Sequence, residues 1–347
     1  MDERSLIAEA VDLMRGTQPH PNPRVGALVL DASGAVVGRG AHHRRGRPHA
    51  EVLALGEAGD RARGGTVVVT LEPCAHTATT PPCADAIVAA GVARVVVGTG
   101  DPDGRVSGKG IARLREAGIA VSTDVAPDLV EAADAGYFHH RRTGRPRITL
   151  KLAVTLDGQV AAADGTSQWI TGAEARHDAH LLRADSDAVV VGAGTLLADD
   201  PRLTVRIDGY EGRQPRPVVV AGERPLPPER VLWGRAPLVY APAPSEVGGE
   251  VVAVGGGGRV DLKAMVDDLG KREYVDVLVE GGATLAGELW RARLVDRLVV
   301  YIAGVVGGGV GLPALGGVFG SIGDARPVRF VRVDRLGSDV RIDAEVV

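Results

Sequence analysis

The stretch TVVVTLEPCAHTATTPPCADAIVAAGVARVVVGTGDPD, residues 66–103, decides the fold class. Thr66 to Leu71 is an apolar, β-branched strand that runs into a loop. ADAIVAAG reads as a helix ending at Gly91, and ARVVVGTG as another buried strand. Strand, helix and strand in succession imply an α/β domain with a largely parallel central sheet and helices on its faces.

The pattern extends both ways. Upstream, Ser5 to Arg15 has helical periodicity, and VGALVLDASGAVVGRG forms a hairpin turning at Ser33-Gly34. A helix follows from about His49 to Ala58. Downstream, GIARLREAG and IAVST continue the alternation. At HHRRTGRPR (139–147) charge, Gly and Pro concentrate as in a linker. A second alternating series starts at ITLKLAVTLDG, with a helix from Ala173 to Arg183 and the strands DAVVVGAG, RPVVVAG, VDVLVEGG and RLVVYIAGVVG. TLAGELWRARL is a further helix, and the end folds back as a hairpin around Gly337-Ser338. The glycine-rich PSEVGGEVVAVGGGGR is the part least expected to be regular. Two domains are expected, 1–144 and 145–347.

Composition narrows the function. The 347 residues are 45% hydrophobic and 24% charged, a globular balance long enough for two domains. A net charge of -4 supplies no basic field for nucleic acid, and 3% aromatics leave few stacking platforms for bases. No apolar run approaches a membrane span, and MDERSLIAEAVDLMRG is too charged for a signal peptide. A cytoplasmic protein without membrane or nucleic-acid partners is expected. In a reducing cytosol its two cysteines, Cys74 and Cys83, are not expected to form a disulfide.

Those thiols have candidate companions in PHAEVLAL. Alone, His49 reads as a surface histidine, Glu51 as a solvated first-turn acid, and each cysteine as a buried thiol. Together they form a catalytic zinc set. His49, Cys74 and Cys83 supply one nitrogen and two sulfurs, and a fourth position stays open for water. Zinc lowers the pKa of that water, and Glu51 moves protons to the ring nitrogen and the leaving ammonia. The pattern is the H-x-E and P-C-x-x-C of zinc deaminases, except that eight residues separate the cysteines here. Cys83 still precedes a helix, where the dipole favours a thiolate.

HPNPRVGALVL, HAEVLAL, VTLEPCAHTATTPPC and DPDGRVSGKGIARLREAGI together resemble the deaminase half of the bifunctional deaminase/reductases of riboflavin biosynthesis. The long loop ending in T-P-P-C is that family's own variant. The resemblance continues through LKLAVTLDG, SQWIT, HLLRADSDAVVVGAGTLLADDPRLTVR and LVEGG, covering nearly the whole chain. It implies a cytidine-deaminase-like three-layer domain followed by a dihydrofolate-reductase-like domain. The first would deaminate 2,5-diamino-6-(5-phosphoribosylamino)pyrimidin-4(3H)-one. The second would use NADPH to reduce the ribosyl group of the aminouracil ribotide to ribityl. The chain departs from the family at Ala78 (usually Gly), Asp103-Gly104 (usually Asn-Pro) and Thr155 (usually Ser). None of these removes a metal ligand or the acid/base.

By the same resemblance, Asn22 and His76 contact the pyrimidine or ribose phosphate. Cofactor contacts fall on Ala153, Trp169, Thr195, Asp199, Gly281 and Gly282, and substrate contacts on Ser167, Arg183, Leu203, Arg206 and Glu280. Arg183 and Arg206 suit a clamp on the 5′-phosphate. No G-x-G-x-x-G follows the first strand of the second half, so a Rossmann fingerprint is absent. Glu280-Gly281-Gly282 at a strand-to-helix turn offers backbone N–H groups to a phosphate, or is simply a tight turn. Lys151, in an apolar strand, either points into a site or pairs with an acid. Lys151 or Asp199 is the candidate proton donor of the reduction. A homo-oligomer through the reductase half is expected. The rival readings are a nucleic-acid or nucleoside deaminase fused to an unrelated domain, a non-catalytic zinc-stabilised binding protein, and an enzyme with one active half.

Overall fold

Residues 2–75, 82–222, 225–245 and 247–347 are described by a computed structural model, in which the chain divides into two units, Met1–Thr143 and Gly144–Val347. The first runs α1 (Glu3–Leu13), β1 (Gly26–Leu30), β2 (Val36–Ala41), α2 (Ala50–Ala58), β3 (Thr66–Leu71), α3 (Cys83–Ala90), β4 (Arg94–Thr99), α4 (Lys109–Glu116), β5 (Ala120–Ser122), α5 (Pro127–Ala133) and α6 (Ala135–Thr143). Its sheet has the order β2-β1-β3-β4-β5.

That sheet is mixed rather than largely parallel. β3, β4 and β5 are parallel, but β1 is antiparallel to both β2 and β3. The cause is the tight return after β1. The Asp31 carboxylate accepts from Ser33 N, Ser33 Oγ and Ala35 N, fastening the turn that sends β2 back along β1.

Helices cover both faces. A Cβ on Gly26 would lie 1.9 Å from Ala10 O of α1, and one on Gly40 would lie 2.1 Å from Ala50 O of α2. Gly40 pairs with Ala27, the neighbour of Gly26, so the two glycines face opposite sides of the sheet. Three layers result.

The expected linker is also absent as such. Residues 139–143 complete α6, and the next strand begins at Arg147, leaving three residues between. Charges there have partners: Arg142 pairs with Glu131 at 2.7 Å and Arg145 with Asp296 at 2.5 Å.

The second unit runs β6 (Arg147–Val154), β7 (Gln159–Ala161), α7 (Ala173–Ala184), β8 (Ala188–Gly192), α8 (Ala193–Asp199), β9 (Arg216–Val220), β10 (Leu238–Ala241), β11 (Glu250–Ala253), β12 (Gly255–Gly256), β13 (Arg259–Val260), α9 (Leu262–Lys271), β14 (Asp276–Val279), α10 (Ala283–Arg291), β15 (Arg297–Ile302), β16 (Leu312–Pro313), β17 (Val328–Leu336) and β18 (Asp339–Val346). Nine strands form one sheet, β11-β10-β9-β8-β14-β6-β15-β18-β17. It is parallel from β11 to β15, and the terminal hairpin adds β18 and β17 antiparallel.

Alternation along β8 builds the two cores. Ala188 and Val190 pack with Met265, Leu269 and Leu289 of α9 and α10, whereas Val189 and Val191 pack with Ala175, Leu182 and Leu196 of α7 and α8. Parallel strands buried on both faces read as continuous apolar runs, as DAVVVGAG and VDVLVEGG do. Among the described residues no helix is long and apolar enough to cross a membrane.

Candidate active sites

In the first unit, packing of small residues sets the position of α2. Ala50, Ala54 and Ala58 recur at helical spacing and are buried. They lie over Gly38 and Gly40 of β2, whose missing side chains let the helix approach closely. His49 therefore sits at the N-cap in extended conformation with no side-chain cap bond. Its ring is free to turn inward, and Glu51 enters the first turn.

The cysteines arrive from the adjoining strand and helix. At the exit of β3 the Glu72 carboxylate accepts from the backbone N–H groups of Gly108, Gly110 and Ile111 at 2.9, 3.0 and 3.3 Å. Cys74 follows two residues later. Cys83 is the first residue of α3, and its N–H donates to Cys74 Sγ at 3.4 Å.

His49 Nδ1 lies 3.2 Å from Cys83 Sγ and 3.7 Å from Cys74 Sγ. The three donor atoms fall within 4.8 Å of one another. One nitrogen and two sulfurs suit zinc. The Cys74 thiol is pulled down to about 4 by hydrogen bonding with the Cys83 thiol and His49. The Cys74 sulfur and burial push Cys83 up, so the two thiols share a proton that a metal would displace. Burial pushes the Glu51 carboxyl up. Its Oε2 is buried without a hydrogen-bond partner, and a buried polar atom left open in this way fits a group that arrives with the metal or the substrate.

Asn22 joins this site through a residue that sequence reading passed over. His42 is 2% exposed, and its Nδ1 lies 3.2 Å from the Pro48 carbonyl. That carbonyl can only accept, so Nδ1 carries the proton. Nε2 then accepts from Asn22 Nδ2 at 3.3 Å, and the ring packs edgewise on His49 with centroids 4.9 Å apart. In AHHRRGRPH this histidine is hidden inside a charge run, and no signal short of its burial marks it. His76 and Ala78 lie outside the described residues. Asp103 is held down to about 2 by Arg105, whose Nε donates to Oδ1 and Nη2 to Oδ2.

In the second unit the expected residues fall into distinct groups at strand ends. Gly281 at the end of β14 approaches Gly192 at the end of β8; a Cβ there would lie 3.0 Å from Gly192 N. Gly282 N donates to Thr195 Oγ1 at 2.9 Å. These are C-terminal ends of parallel strands, where open α/β sheets bind ligands.

A charge cluster stands beside them. Glu280 accepts from Arg183 Nε at 2.5 Å and Nη2 at 2.9 Å. Lys151 Nζ is 4.0 Å from Glu280 and lies over the Tyr301 ring, so the strand lysine is paired with an acid. Arg183 Nη1 also donates to Thr204 O. Arg183 is thus occupied by Glu280 and Thr204 and does not stand open as half of a phosphate clamp; Arg206 is exposed. The Arg206 N–H donates to His180 Nδ1 at 3.2 Å. His180, one turn before Arg183 on α7, is a second residue that sequence reading missed. Burial, Arg183 and Arg206 hold its ring down at about 4.

Leu203 is buried with φ +51°, and its carbonyl accepts from Arg235. Asp199, the last residue of α8, has no hydrogen-bond or ion-pair partner among the described residues. Ala153 pairs with Tyr301 across β6 and β15. Ser167 and Trp169 line a cavity of about 480 Å³ with Thr155, Ile170, Val305 and Val310. Neither Lys151 nor Arg183 nor Glu280 lines it.

The first unit has the three-layer fold and donor set of the zinc-dependent deaminases, and the second is an α/β unit with ligand-type turns at its strand ends. Comparison with known proteins gives the particular family. Residues 1–99 match the cytidine and deoxycytidylate deaminase zinc-binding region, and residues 146–342 match the RibD C-terminal domain. The riboflavin biosynthesis protein RibD of Escherichia coli is 41% identical over 98% of both chains. A solved RibD structure from Acinetobacter baumannii superposes with a TM-score of 0.93 at 33% identity, covering 99% of each chain. A diaminohydroxyphosphoribosylaminopyrimidine deaminase/5-amino-6-(5-phosphoribosylamino)uracil reductase from Thermotoga maritima gives 0.90 at 31% identity, again over 99% of each. The chain belongs to the RibD family: it is a bifunctional deaminase and reductase of riboflavin biosynthesis, with a zinc-binding deaminase domain and a reductase domain that takes a nicotinamide cofactor.

Proposed function

We propose that residues 1–144 deaminate 2,5-diamino-6-(5-phosphoribosylamino)pyrimidin-4(3H)-one and residues 145–347 reduce the resulting aminouracil ribotide with NADPH. The convergence of His49 Nδ1, Cys74 Sγ and Cys83 Sγ beside the unpartnered Glu51 Oε2 carries the reading. His49, Cys74 and Cys83 hold zinc, which when bound acidifies a water and polarises the reacting centre. Glu51, with its carboxyl raised by burial, takes one proton from the attacking water and gives it to the ring nitrogen, then takes the second from the hydroxyl newly bonded to the ring carbon and gives it to the amine, which leaves as ammonia while the ring carbonyl forms. Asn22, its amide turned by His42, presents its Oδ1 to donors on the pyrimidine.

In the reductase half, Thr195, Gly281 and Gly282 hold the cofactor's phosphates at the paired strand ends, and Ala153, Trp169 and Asp199 contact the rest of it. Glu280 and the Arg183 that orients it, with Ser167, Leu203 and Arg206, bind the ribotide. Lys151, drawn to Glu280, is the proton donor we favour over Asp199 because it stands in the charge cluster. The chain assembles as a homo-oligomer through the reductase half. Support comes from β17, an edge strand on which Phe330, Val331 and Val333 are exposed.

The test follows ammonia and NADPH absorbance together, with zinc-loaded protein and the diaminopyrimidine ribotide. Ammonia release without cofactor, then NADPH oxidation that depends on it, is the expected result. NADPH oxidation that precedes or ignores ammonia release overturns the assigned order. Light scattering of the purified chain tests the oligomer, and a monomer at micromolar concentration refutes it.

A further inference from the structure

The TLDG turn after β6 remains without a role in either reaction. Its acid, Asp157, reaches across to a glycine-rich segment far along the chain. Gly307 N donates to Asp157 Oδ1 at 3.1 Å and Gly308 N to Oδ2 at 2.9 Å. The Leu156 N–H donates to Val305 O at 2.8 Å. Beyond the glycines, β16 pairs with β7 on the far side of the same turn. Residues 305–311 therefore form a strap, bonded at both ends and pinned in the middle by one carboxylate.

This strap is a wall of the 480 Å³ cavity. Val305, Gly307, Gly308, Val310 and Gly311 line it together with Trp169. The strap is intrinsically loose: Gly308 and Gly309 have φ of +67° and +72°, and glycine gives up the most chain entropy on ordering. Val306 and Val310 are largely exposed, so little apolar burial holds the strap down. Both Asp157 oxygens are needed, one for each N–H. The Thr155 hydroxyl and the two glycine N–H groups keep its carboxyl at about 2, so it is charged throughout the working range.

The lining also specifies the ligand. Alanines, Ile170, Val305 and Val310 dominate it, the Trp169 indole stands at it, and no lysine or arginine is among its described lining residues. The Arg176 guanidinium lies over the Trp169 ring, 4.8 Å from its centroid, and is not itself a lining residue. A flat, uncharged heteroaromatic ring fits against these apolar side chains, beside the indole. Reduced nicotinamide is such a ring.

Resting on the reading of this unit as a nicotinamide-dependent reductase, we propose that Asp157 is a positioning residue that pins the 305–311 strap as the wall against which the nicotinamide ring binds. It touches neither substrate nor cofactor. Its loss weakens cofactor binding and leaves the chemical step alone.

The experiment uses the full-length, zinc-loaded chain with NADPH as the probe. Asp157→Asn keeps the shape but turns an amide N–H2 toward one glycine N–H. Expected are faster hydrogen exchange in a peptide spanning 305–311, a KM for NADPH raised about tenfold, and kcat within about threefold of wild type. Ammonia release, the internal control for folding, stays unchanged. Asp157→Glu, which keeps both acceptors on a longer arm, recovers part of the KM. An unchanged KM despite faster exchange overturns the proposal while leaving the reductase reading intact, and so does a loss confined to kcat. If Asp157→Asn loses ammonia release as well, Asp157→Ser, which cannot accept from both glycine N–H groups, decides: unchanged KM there also overturns it. A wild-type chain that oxidises no NADPH refutes the reductase reading and the proposal with it.

Discussion

A carboxylate with a buried, unpartnered oxygen favours its protonated form, and Glu51 is in that position beside two thiols. Removing its charge while keeping its shape is the direct probe. Glu51→Gln retains zinc by elemental analysis and loses ammonia release by roughly a hundredfold or more; near-normal turnover would falsify the proton-shuttle role. In the other half, Arg183 and Glu280 are an ion pair with both side chains nearly buried. Arg183→Met leaves Glu280 with only the more distant Lys151, 4.0 Å away, and lowers stability by about 3 kcal/mol in denaturant titration. His180 supplies a pH dependence. Its folded value of about 4 lies below the ordinary 6.5, so between these values the unfolded chain binds the extra proton. Its contribution to stability is thus fully present above pH 6.5 and falls as the pH drops toward 4. His180→Gln flattens that slope in unfolding curves measured across this range, and an unaltered slope assigns the effect elsewhere.

At the scale of elements, the deaminase site depends on how closely α2 can approach β2. Gly40→Val drives a side chain into the Ala50 carbonyl. The expected result is a loss of about 3 kcal/mol, with reduced zinc occupancy because His49 moves with the helix. Full occupancy in a folded variant would show that the helix position does not set the ligand. Other elements were legible to different degrees. β3 begins and ends where the apolar run does, at Thr66 and Leu71, and α3 ends at the left-handed Gly91. α9 went unread: Asp261 caps it and Leu262, Met265, Val266 and Leu269 are buried along it, but it follows directly on a glycine-rich stretch that obscures it. β11, inside that stretch, is regular only because it pairs in parallel with β10. Local propensity cannot report a strand that exists through its neighbour.

For the whole molecule, two sites on one chain predict two separable losses. Chelation of zinc, or Glu51→Gln, abolishes ammonia release while pre-deaminated ribotide is still reduced. Lys151→Met does the reverse, sparing ammonia release and cutting NADPH oxidation. Equal loss of both activities in either variant refutes the assignment of one reaction to each half.

The sequence by itself determined the α/β class, most element positions and the candidate metal set of His49, Cys74 and Cys83 with Glu51 beside it, because these depend on local periodicity and on residue types rare enough to be informative. Two cysteines in 347 residues, with an H-A-E upstream, leave few alternatives. Only the tertiary structure decided that β1 runs against β3, that Arg183 is occupied by Glu280, and that His42, His180 and Asp157 stand where they do. Each of those depends on a partner distant in sequence: Glu280 lies 97 residues from Arg183, and Gly307 lies 150 from Asp157. A charged or polar side chain looks the same in sequence whether water or a distant backbone group satisfies it, and only folding brings the second partner within hydrogen-bond reach.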